Sequence, residues 1–159
     1  MRIGIGYDVH RLVYGRPLLL GGIRIDSEWG LEGHSDADAL LHAISDALLG
    51  ALALGDLGQH FPDSDPRFCG IDSAKLLDRV VQMVHKQAYR LHNLDAVVIA
   101  QKPRLALHIP AIRRNLAGLL STDFGSISVK AKTAESLGAL GRGEGIAVHA
   151  VCLLAPDSH

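Results

Sequence analysis

The sequence predicts an α+β fold, in which a small mixed sheet carries helices on one face and a hairpin lies near the N-terminus. Two observations lead to this prediction. Side chains alternate over residues 3–10 and again over residues 126–132, which is typical of strands. The segments between them follow one another as helix, helix, strand and helix, which is not the regular alternation of a doubly wound fold. One domain over residues 1–159 is expected, because this length buries a core without disulfides.

Each element has its own signal. Gly and Pro residues over 15–25 predict the hairpin. Residues 35–38 are expected to begin a helix that runs to Gly50, since their hydroxyl and carboxylate groups can accept hydrogen bonds from its first turn. Residues 55–72 are rich in Gly, Pro, Asp and Ser and predict a long, functional loop. The later elements are expected as helices over 72–88 and 110–120 and strands over 94–100, 126–132 and 146–154.

The composition excludes several classes of protein. With 48% apolar and 21% charged residues, the chain is expected to be globular rather than disordered. A formal net charge of −1 without blocks of like charge argues against nucleic acid as a partner. No secretory signal and no apolar run of membrane-spanning length is visible, so we expect no membrane partner and a cytoplasmic location of the bacterial type. Cys69 and Cys152 lack CxxC spacing and are expected to be reduced.

Asp8 and His10 are the first indication of a metal site. They are two positions apart on a strand, so both side chains leave the same face, where Gly4 and Gly6 make room. Asp and His are ligands for a divalent cation such as Zn²⁺. His42 is the expected third ligand, and three protein ligands leave the open position that is typical of catalytic zinc.

Asp38, His42 and Asp46 form a polar stripe on an Ala- and Leu-rich helix. Unpaired burial of such groups is costly, so they should be paired or should face a site. In one interpretation, Asp46 or Asp38 orients the metal ligand His42. In the other, the first carboxylate interacts with the helix dipole and the histidine bonds within the core.

Three segments suggest phosphate or nucleotide binding. His34 and Ser35 lie just before a helix start, where backbone N–H groups favour anions. Asp56 lies among glycines, which suits either the approach of a ribose or a simple turn. A basic residue, a hydroxyl and a carboxylate follow a later strand, namely Lys132, Thr133 and Glu135. Such a strand end can hold a polyphosphate with Mg²⁺, although it can equally be solvated surface.

The glycine-rich residues 138–145 carry Arg142 and Glu144. Their spacing is not a dinucleotide fingerprint, because an apolar strand follows instead of a helix. We therefore expect a flexible turn that holds one Arg and one Glu.

Six motifs follow one another along the chain, namely YDVH at 7–10, GHSDAD at 33–38, HAISDALLG at 42–50, GDLG at 55–58, FPD at 61–63 and GRGEGIA at 141–147. Taken in order, these motifs resemble the 2-C-methyl-D-erythritol 2,4-cyclodiphosphate synthase family over nearly the whole chain. The resemblance implies closure of a cyclodiphosphate from a cytidine diphosphate substrate, with release of CMP by metal-assisted intramolecular phosphoryl transfer. It also implies a homotrimer whose active sites lie between neighbouring subunits, with Arg142 and Glu144 at the three-fold axis.

The resemblance also implies roles for individual residues. Asp8, His10 and His42 would hold Zn²⁺ or another divalent transition metal, and Glu135 would help to hold a second ion, Mg²⁺ or Mn²⁺. His34 and Thr133 would be catalytic because they position phosphate oxygens. The other implied substrate-binding residues are Ser35, Asp56, Gly58, Asp63, Ala100, Pro103, Arg104, Leu105, Ala106 and Lys132.

The sequence departs from the family pattern at one position, and two alternative functions are considered. Ala139 occupies a position where many relatives carry Phe, which argues against an isoprenoid diphosphate in the axial cavity. A non-catalytic trimeric nucleotide-binding protein would need the cytidine segment but not all three metal ligands. A metal-dependent phosphohydrolase would need a general base such as Asp46 or Asp63.

Overall fold

A computed structural model describes residues 1–157. The last two positions of the predicted domain, 158 and 159, lie outside the described residues. The strands are β1 Arg2–Tyr14, β2 Leu18–Leu20, β3 Ile23–Ile25, β4 Trp29–Leu31, β5 Tyr89–Ile99, β6 Ile127–Lys132 and β7 Gly145–Pro156. The α-helices are α1 Ala39–Ala51, α2 Leu57–His60, α3 Ser73–Lys86, α4 Ile109–Leu119 and α5 Gly138–Gly141.

The main sheet has five strands in the order β4-β1-β7-β5-β6. Strands β5 and β6 are parallel, and the other pairs are antiparallel, so the sheet is mixed as predicted. The predicted hairpin is also confirmed, because β2 and β3 pair antiparallel from Leu18–Ile25 to Leu20–Ile23. In the described chain, no helix is both long enough and apolar enough to cross a bilayer.

The helical layer lies on one face of the sheet. Gly4 and Gly6 of β1 are buried against α1, where a Cβ at either position would overlap the helix backbone. The side chains at alternate positions of β1 point away from this layer and are largely exposed, in the set Ile3, Ile5, Tyr7 and Val9. This apolar face of β1 therefore does not face the core of its own chain.

Three predicted segments need correction. Helix α1 begins at Ala39 rather than within residues 35–38, because Asp38 is its N-cap and accepts a hydrogen bond from Leu41 N. The loop over 55–72 contains α2 and a 3₁₀ turn, each capped by an aspartate side chain. The turn over 138–145 contains the short helix α5, whose buried Gly141 lies against the backbone of Ser136.

Candidate metal centre

Strand β1 and helix α1 bring the three predicted metal ligands together. Asp8 and His10 leave β1 on the face that α1 covers, and His42 meets them from the first turns of α1. Asp8 Oδ2 lies 2.9 Å from His10 Nε2 and 3.0 Å from His42 Nδ1. The two histidine nitrogens are 3.3 Å apart. Each of the three side chains is partly buried.

These distances fit a divalent cation. Ligand bonds of about 2.0–2.2 Å at tetrahedral angles separate the donor atoms of a zinc site by about 3.3 Å. The other ring nitrogens have partners of their own, since His10 Nδ1 lies 2.7 Å from the carbonyl oxygen of Glu32 and His42 Nε2 lies 2.9 Å from Ser73 Oγ. The nitrogens that face Asp8 are therefore the ones left to bind a metal.

The charges of Asp8 and His10, which lie within β1, favour metal binding at this site. Burial alone would raise the pKa of Asp8, but hydrogen bonds and charge interactions with His10 and His42 outweigh it and lower the pKa to about 2. Burial would lower the pKa of His10, and its contacts with Asp8 raise it overall. Asp8 is thus an anion at neutral pH, the form in which a carboxylate binds a cation.

The three ligands open into a cavity of about 290 Å³. Five further predicted site residues line the same cavity, namely His34, Ser35, Asp46, Gly58 and Asp63. His34 Nε2 is buried and has no hydrogen-bond partner within residues 1–157. Because a buried unpaired nitrogen is costly, a ligand atom in this cavity would find an open partner there.

The predicted nucleotide residues line a second cavity of about 270 Å³. Its walls include Ala100, Pro103, Arg104, Leu105, Ala106, Lys132 and Thr133. Glu135 lies beside this cavity, because Thr133, which lines it, donates a hydrogen bond from Oγ1 to the Glu135 carboxylate. The two cavities share no lining residue, so the chain presents the predicted site as two separate parts.

The remaining predicted residues lie near these cavities. Asp56 caps α2 at the edge of the metal cavity and accepts a hydrogen bond from Gln59 N at 2.9 Å. Arg142 Nε donates to Glu144 Oε1 at 2.6 Å, and Arg142 lines a third cavity of about 410 Å³ with Trp29 and Lys102.

Neither carboxylate on the polar stripe of α1 orients His42 in the way we expected. Asp38 is fully buried, and its carboxylate accepts hydrogen bonds from Gly21 N, Gly22 N and Leu41 N at 2.9, 2.7 and 3.1 Å. It joins α1 to the hairpin turn, and burial raises its pKa. The interpretation of Asp38 as a helix-start carboxylate is the correct one.

Asp46 lines the metal cavity, but its carboxylate accepts a hydrogen bond from Leu57 N at 2.7 Å. Burial raises its pKa. Asp46 therefore anchors α2, which forms part of the cavity wall, to α1.

Sequence reasoning missed two residues that touch the site. Ser73 Oγ lies within hydrogen-bonding distance of His42 Nε2, although the sequence placed Ser73 only at the start of the helix predicted over 72–88. Arg16 donates hydrogen bonds to the carbonyl oxygens of Gly33 and Ser35, both at 3.3 Å, and so holds the residues on either side of His34. No spacing rule connects these residues, because 31 positions separate Ser73 from His42 and 17 separate Arg16 from Gly33.

Comparison with known proteins identifies the family. The model of the YgbB family matches residues 1–155. The 2-C-methyl-D-erythritol 2,4-cyclodiphosphate synthase of Trichlorobacter lovleyi is 60% identical over 99% of this chain and 100% of its own length. The synthase of Clostridium perfringens is 57% identical over 97% of this chain and 99% of its own length. The chain belongs to the 2-C-methyl-D-erythritol 2,4-cyclodiphosphate synthase family.

Solved structures agree with this cyclodiphosphate synthase family. The bifunctional IspDF of Campylobacter jejuni matches 98% of the chain with a TM-score of 0.94 and 42% identity, and the chain spans 42% of that longer protein. IspF of Plasmodium falciparum, solved as a CDP complex, matches with a TM-score of 0.87 and 36% identity over 99% of this chain and 97% of its own. The fold and the enzyme family are thus established together.

Proposed function

We propose that the protein converts 4-diphosphocytidyl-2-C-methyl-D-erythritol 2-phosphate to 2-C-methyl-D-erythritol 2,4-cyclodiphosphate and CMP, a phosphorus–oxygen lyase reaction of the non-mevalonate isoprenoid pathway. The observation that carries the proposal is the convergence of Asp8, His10 and His42 in one cavity with His34 and Ser35. The names of the relatives and the CDP complex of the P. falciparum protein support the same substrate class.

In this proposal the metal cavity binds the phosphate end of the substrate. Asp8, His10 and His42 hold a divalent cation such as Zn²⁺, which when bound supplies positive charge to the oxygens of a phosphate group. The unpartnered His34 Nε2 and the Ser35 hydroxyl position those oxygens by hydrogen bonds. Asp63 lines the same cavity and is assigned to the methylerythritol hydroxyls.

The second cavity binds the nucleotide end. The segment from Ala100 to Ala106 is assigned to cytosine, while Lys132 and Thr133 contact the diphosphate. Glu135, beside Thr133, is assigned to a second ion, Mg²⁺ or Mn²⁺. Asp56 and Gly58, at the start of α2 beside the metal cavity, are assigned to the ribose, which would join the two ends of the substrate.

The reaction needs no protein nucleophile. An oxygen of the 2-phosphate attacks the β-phosphorus, and the bond from that phosphorus to the bridging oxygen breaks. The electron pair leaves with CMP, and the new P–O–P bond closes the ring. The work of the protein is to align the attacking oxygen and to neutralise charge, as is usual for phosphoryl transfer.

We also propose that the active form is a homotrimer with each site between two subunits. Two observations support it. The metal cavity and the nucleotide cavity are separate on one chain, so one substrate could span cavities from neighbouring copies. The exposed face of the sheet carries a contiguous apolar surface where β1 pairs with β7, formed by Ile3, Ile5, Tyr7, Val9 and Val151. A subunit interface would remove this surface from water. Arg142 and Glu144 are assigned to the three-fold axis of this assembly.

The proposed reaction is tested by ³¹P NMR of the purified protein with the diphosphocytidyl substrate, Zn²⁺ and Mg²⁺. We expect CMP in equal amount to a product with two mutually coupled diphosphate signals. Release of inorganic phosphate would contradict the proposal and indicate a phosphohydrolase. Unchanged substrate with measurable CMP binding would contradict it in favour of a nucleotide-binding protein.

A further inference from the structure

The metal ligand His42 contacts a serine of a different helix through Nε2, the ring nitrogen that does not face Asp8. Ser73, the first residue of α3, lies with its Oγ 2.9 Å from His42 Nε2. Ser73 is only 1% exposed, so its hydroxyl cannot rely on bulk water for its hydrogen bonds.

The Asp36 carboxylate accepts hydrogen bonds from the same serine. The Ser73 hydroxyl donates to Asp36 Oδ1, and Ser73 N donates to Asp36 Oδ2 at 3.0 Å. The carboxylate therefore receives both polar hydrogens of this serine. Since Asp36 lies two positions before the N-cap Asp38, it ties the start of α3 to the start of α1.

The direction of each hydrogen bond follows from the chemistry of the groups. An ionised carboxylate only accepts, so the Ser73 hydroxyl proton points to Asp36. Ser73 Oγ then offers a lone pair to His42, and His42 Nε2 must carry the proton. In this tautomer Nδ1 has its lone pair free, and Nδ1 is the atom that faces Asp8 and His10.

A second hydroxyl lies near the same nitrogen but is a weaker candidate for this role. Ser35 Oγ is 3.2 Å from His42 Nε2, which is longer than the Ser73 contact. Ser35 Oγ also accepts a hydrogen bond from Ala37 N at 3.1 Å. Because the Ser35 oxygen acts as an acceptor in these contacts, its hydroxyl proton stays available for a phosphate oxygen.

We infer that Ser73 and Asp36 are positioning residues that fix the ring orientation and the Nε2–H tautomer of His42, and thereby set the affinity of the site for a divalent cation. This inference rests on the metal-binding part of the proposed function and does not depend on the reaction. Partners of this kind typically change metal affinity 10–100-fold. The same contact also connects the metal site to the residue at which the 55–72 segment joins α3.

The inference is tested by Zn²⁺ affinity, measured by competition with a chromophoric chelator. We expect Ser73→Ala to raise the dissociation constant for Zn²⁺ about 10–100-fold. Asp36→Asn should weaken binding in the same direction, because a carboxamide is a poorer acceptor for the serine hydroxyl. Ser73→Thr keeps the hydroxyl and should restore most of the affinity.

Ser45→Ala is the matched control. Ser45 is also 1% exposed and lies in the same helix as His42, but its hydroxyl donates to the carbonyl oxygen of Leu41. Its dissociation constant for Zn²⁺ should stay within about twofold of the unmodified protein, well below the effect expected for a residue that contacts the ligand.

A second readout needs neither metal nor substrate. Long-range ¹H–¹⁵N NMR of the metal-free protein should show His42 as the Nε2–H tautomer, and Ser73→Ala should convert it to a mixture. Unchanged tautomer and unchanged Zn²⁺ affinity in Ser73→Ala would overturn the inference. If the protein binds Zn²⁺ in a Ser73-dependent manner but releases no CMP, the proposed reaction fails and the positioning role stands.

Discussion

A Cβ on Gly6 would overlap the carbonyl oxygen of Ala43, well inside the 3.0 Å that real Cβ atoms keep. Gly6 is therefore the point at which α1 lies directly on β1. Ala43 follows His42, and Gly6 is two positions before Asp8, so this contact sets the distance between two of the three metal ligands. The close approach of backbone to backbone is the reason that a histidine on a helix can reach an aspartate on a strand.

Gly6→Ala should therefore damage both stability and metal binding. The added methyl group meets backbone rather than a mobile side chain, so α1 must shift, at a cost of about 3 kcal/mol. We expect a lower midpoint in chemical unfolding and weaker Zn²⁺ binding. Gly118→Ala is the control, because a Cβ there meets nothing within 4 Å in α4, and it should be neutral or stabilising by up to about 1 kcal/mol. Equal stability of the two variants would contradict this account.

Local pattern was sufficient to predict part of this arrangement. The period of two along β1 put Asp8 and His10 on one face, and the composition of α1 placed His42 on a helix. Both predictions depend only on neighbours along the chain. The family, the mixed sheet and the hairpin were likewise predicted correctly.

The rest depends on contacts between distant segments. Asp38 and Asp46 look equivalent on a helical stripe, but Asp38 meets the hairpin turn at Gly21 and Asp46 meets Leu57. Ser73 approaches His42 only because α3 packs beside α1. Such choices of partner are made by packing, and a one-dimensional pattern does not contain them.

The two cysteines should differ in reactivity. Burial raises the pKa of the Cys152 thiol to about 11, whereas Cys69 is exposed on the 55–72 segment. At pH 8, we expect one thiol per folded chain to react quickly with a disulfide reagent, and the buried thiol to react at least about 100-fold more slowly. Denaturant should release the second thiol. Cys69→Ser should remove the fast phase, and Cys152→Ser should leave it intact. Two fast-reacting thiols in the folded, unmodified protein would contradict the burial of Cys152.

The apolar surface on β1 makes the trimer testable. Ile5 is 70% exposed in the single chain and lies opposite Val151 on β7. Ile5→Glu would place a carboxylate in the proposed interface, where its burial is costly. Sedimentation should give three times the 17.0 kDa chain mass for the unmodified protein and a single-chain mass for Ile5→Glu.

The same variant separates metal binding from turnover. Because all three metal ligands belong to one chain, the dissociated Ile5→Glu protein should still bind Zn²⁺ but should release little CMP. Lys86→Glu, an exposed change at the end of α3, should remain trimeric and active. A trimeric Ile5→Glu protein would show that this face is not the interface.

Metal removal should lower stability through the same three ligands. A ligand that binds only the folded state adds about 2.7 kcal/mol when its concentration is 100 times its dissociation constant. We expect Zn²⁺ to raise the thermal midpoint of metal-free protein and His42→Ala to abolish this increase while the protein stays folded. His85→Ala, a histidine near the end of α3, should keep the full increase. If metal-depleted His42→Ala released CMP at the normal rate, the proposed metal-assisted mechanism would be contradicted.

Acid should destabilise the metal-free protein partly through Asp8. Its pKa is about 2 in the folded chain against an ordinary value of 3.8, so the unfolded state binds the proton more tightly. The stabilisation is therefore complete above about pH 5, where it amounts to about 2 kcal/mol, and about half of it should be lost by about pH 3. In urea unfolding of metal-free protein, the difference in free energy of unfolding between the unmodified chain and Asp8→Asn should shrink as the pH falls from 5 to 3. Asp123→Asn changes the net charge equally at an exposed position and serves as the control. If the curves for Asp8→Asn and the unmodified chain stay parallel across this window, the contacts of Asp8 with His10 and His42 do not stabilise its ionised form.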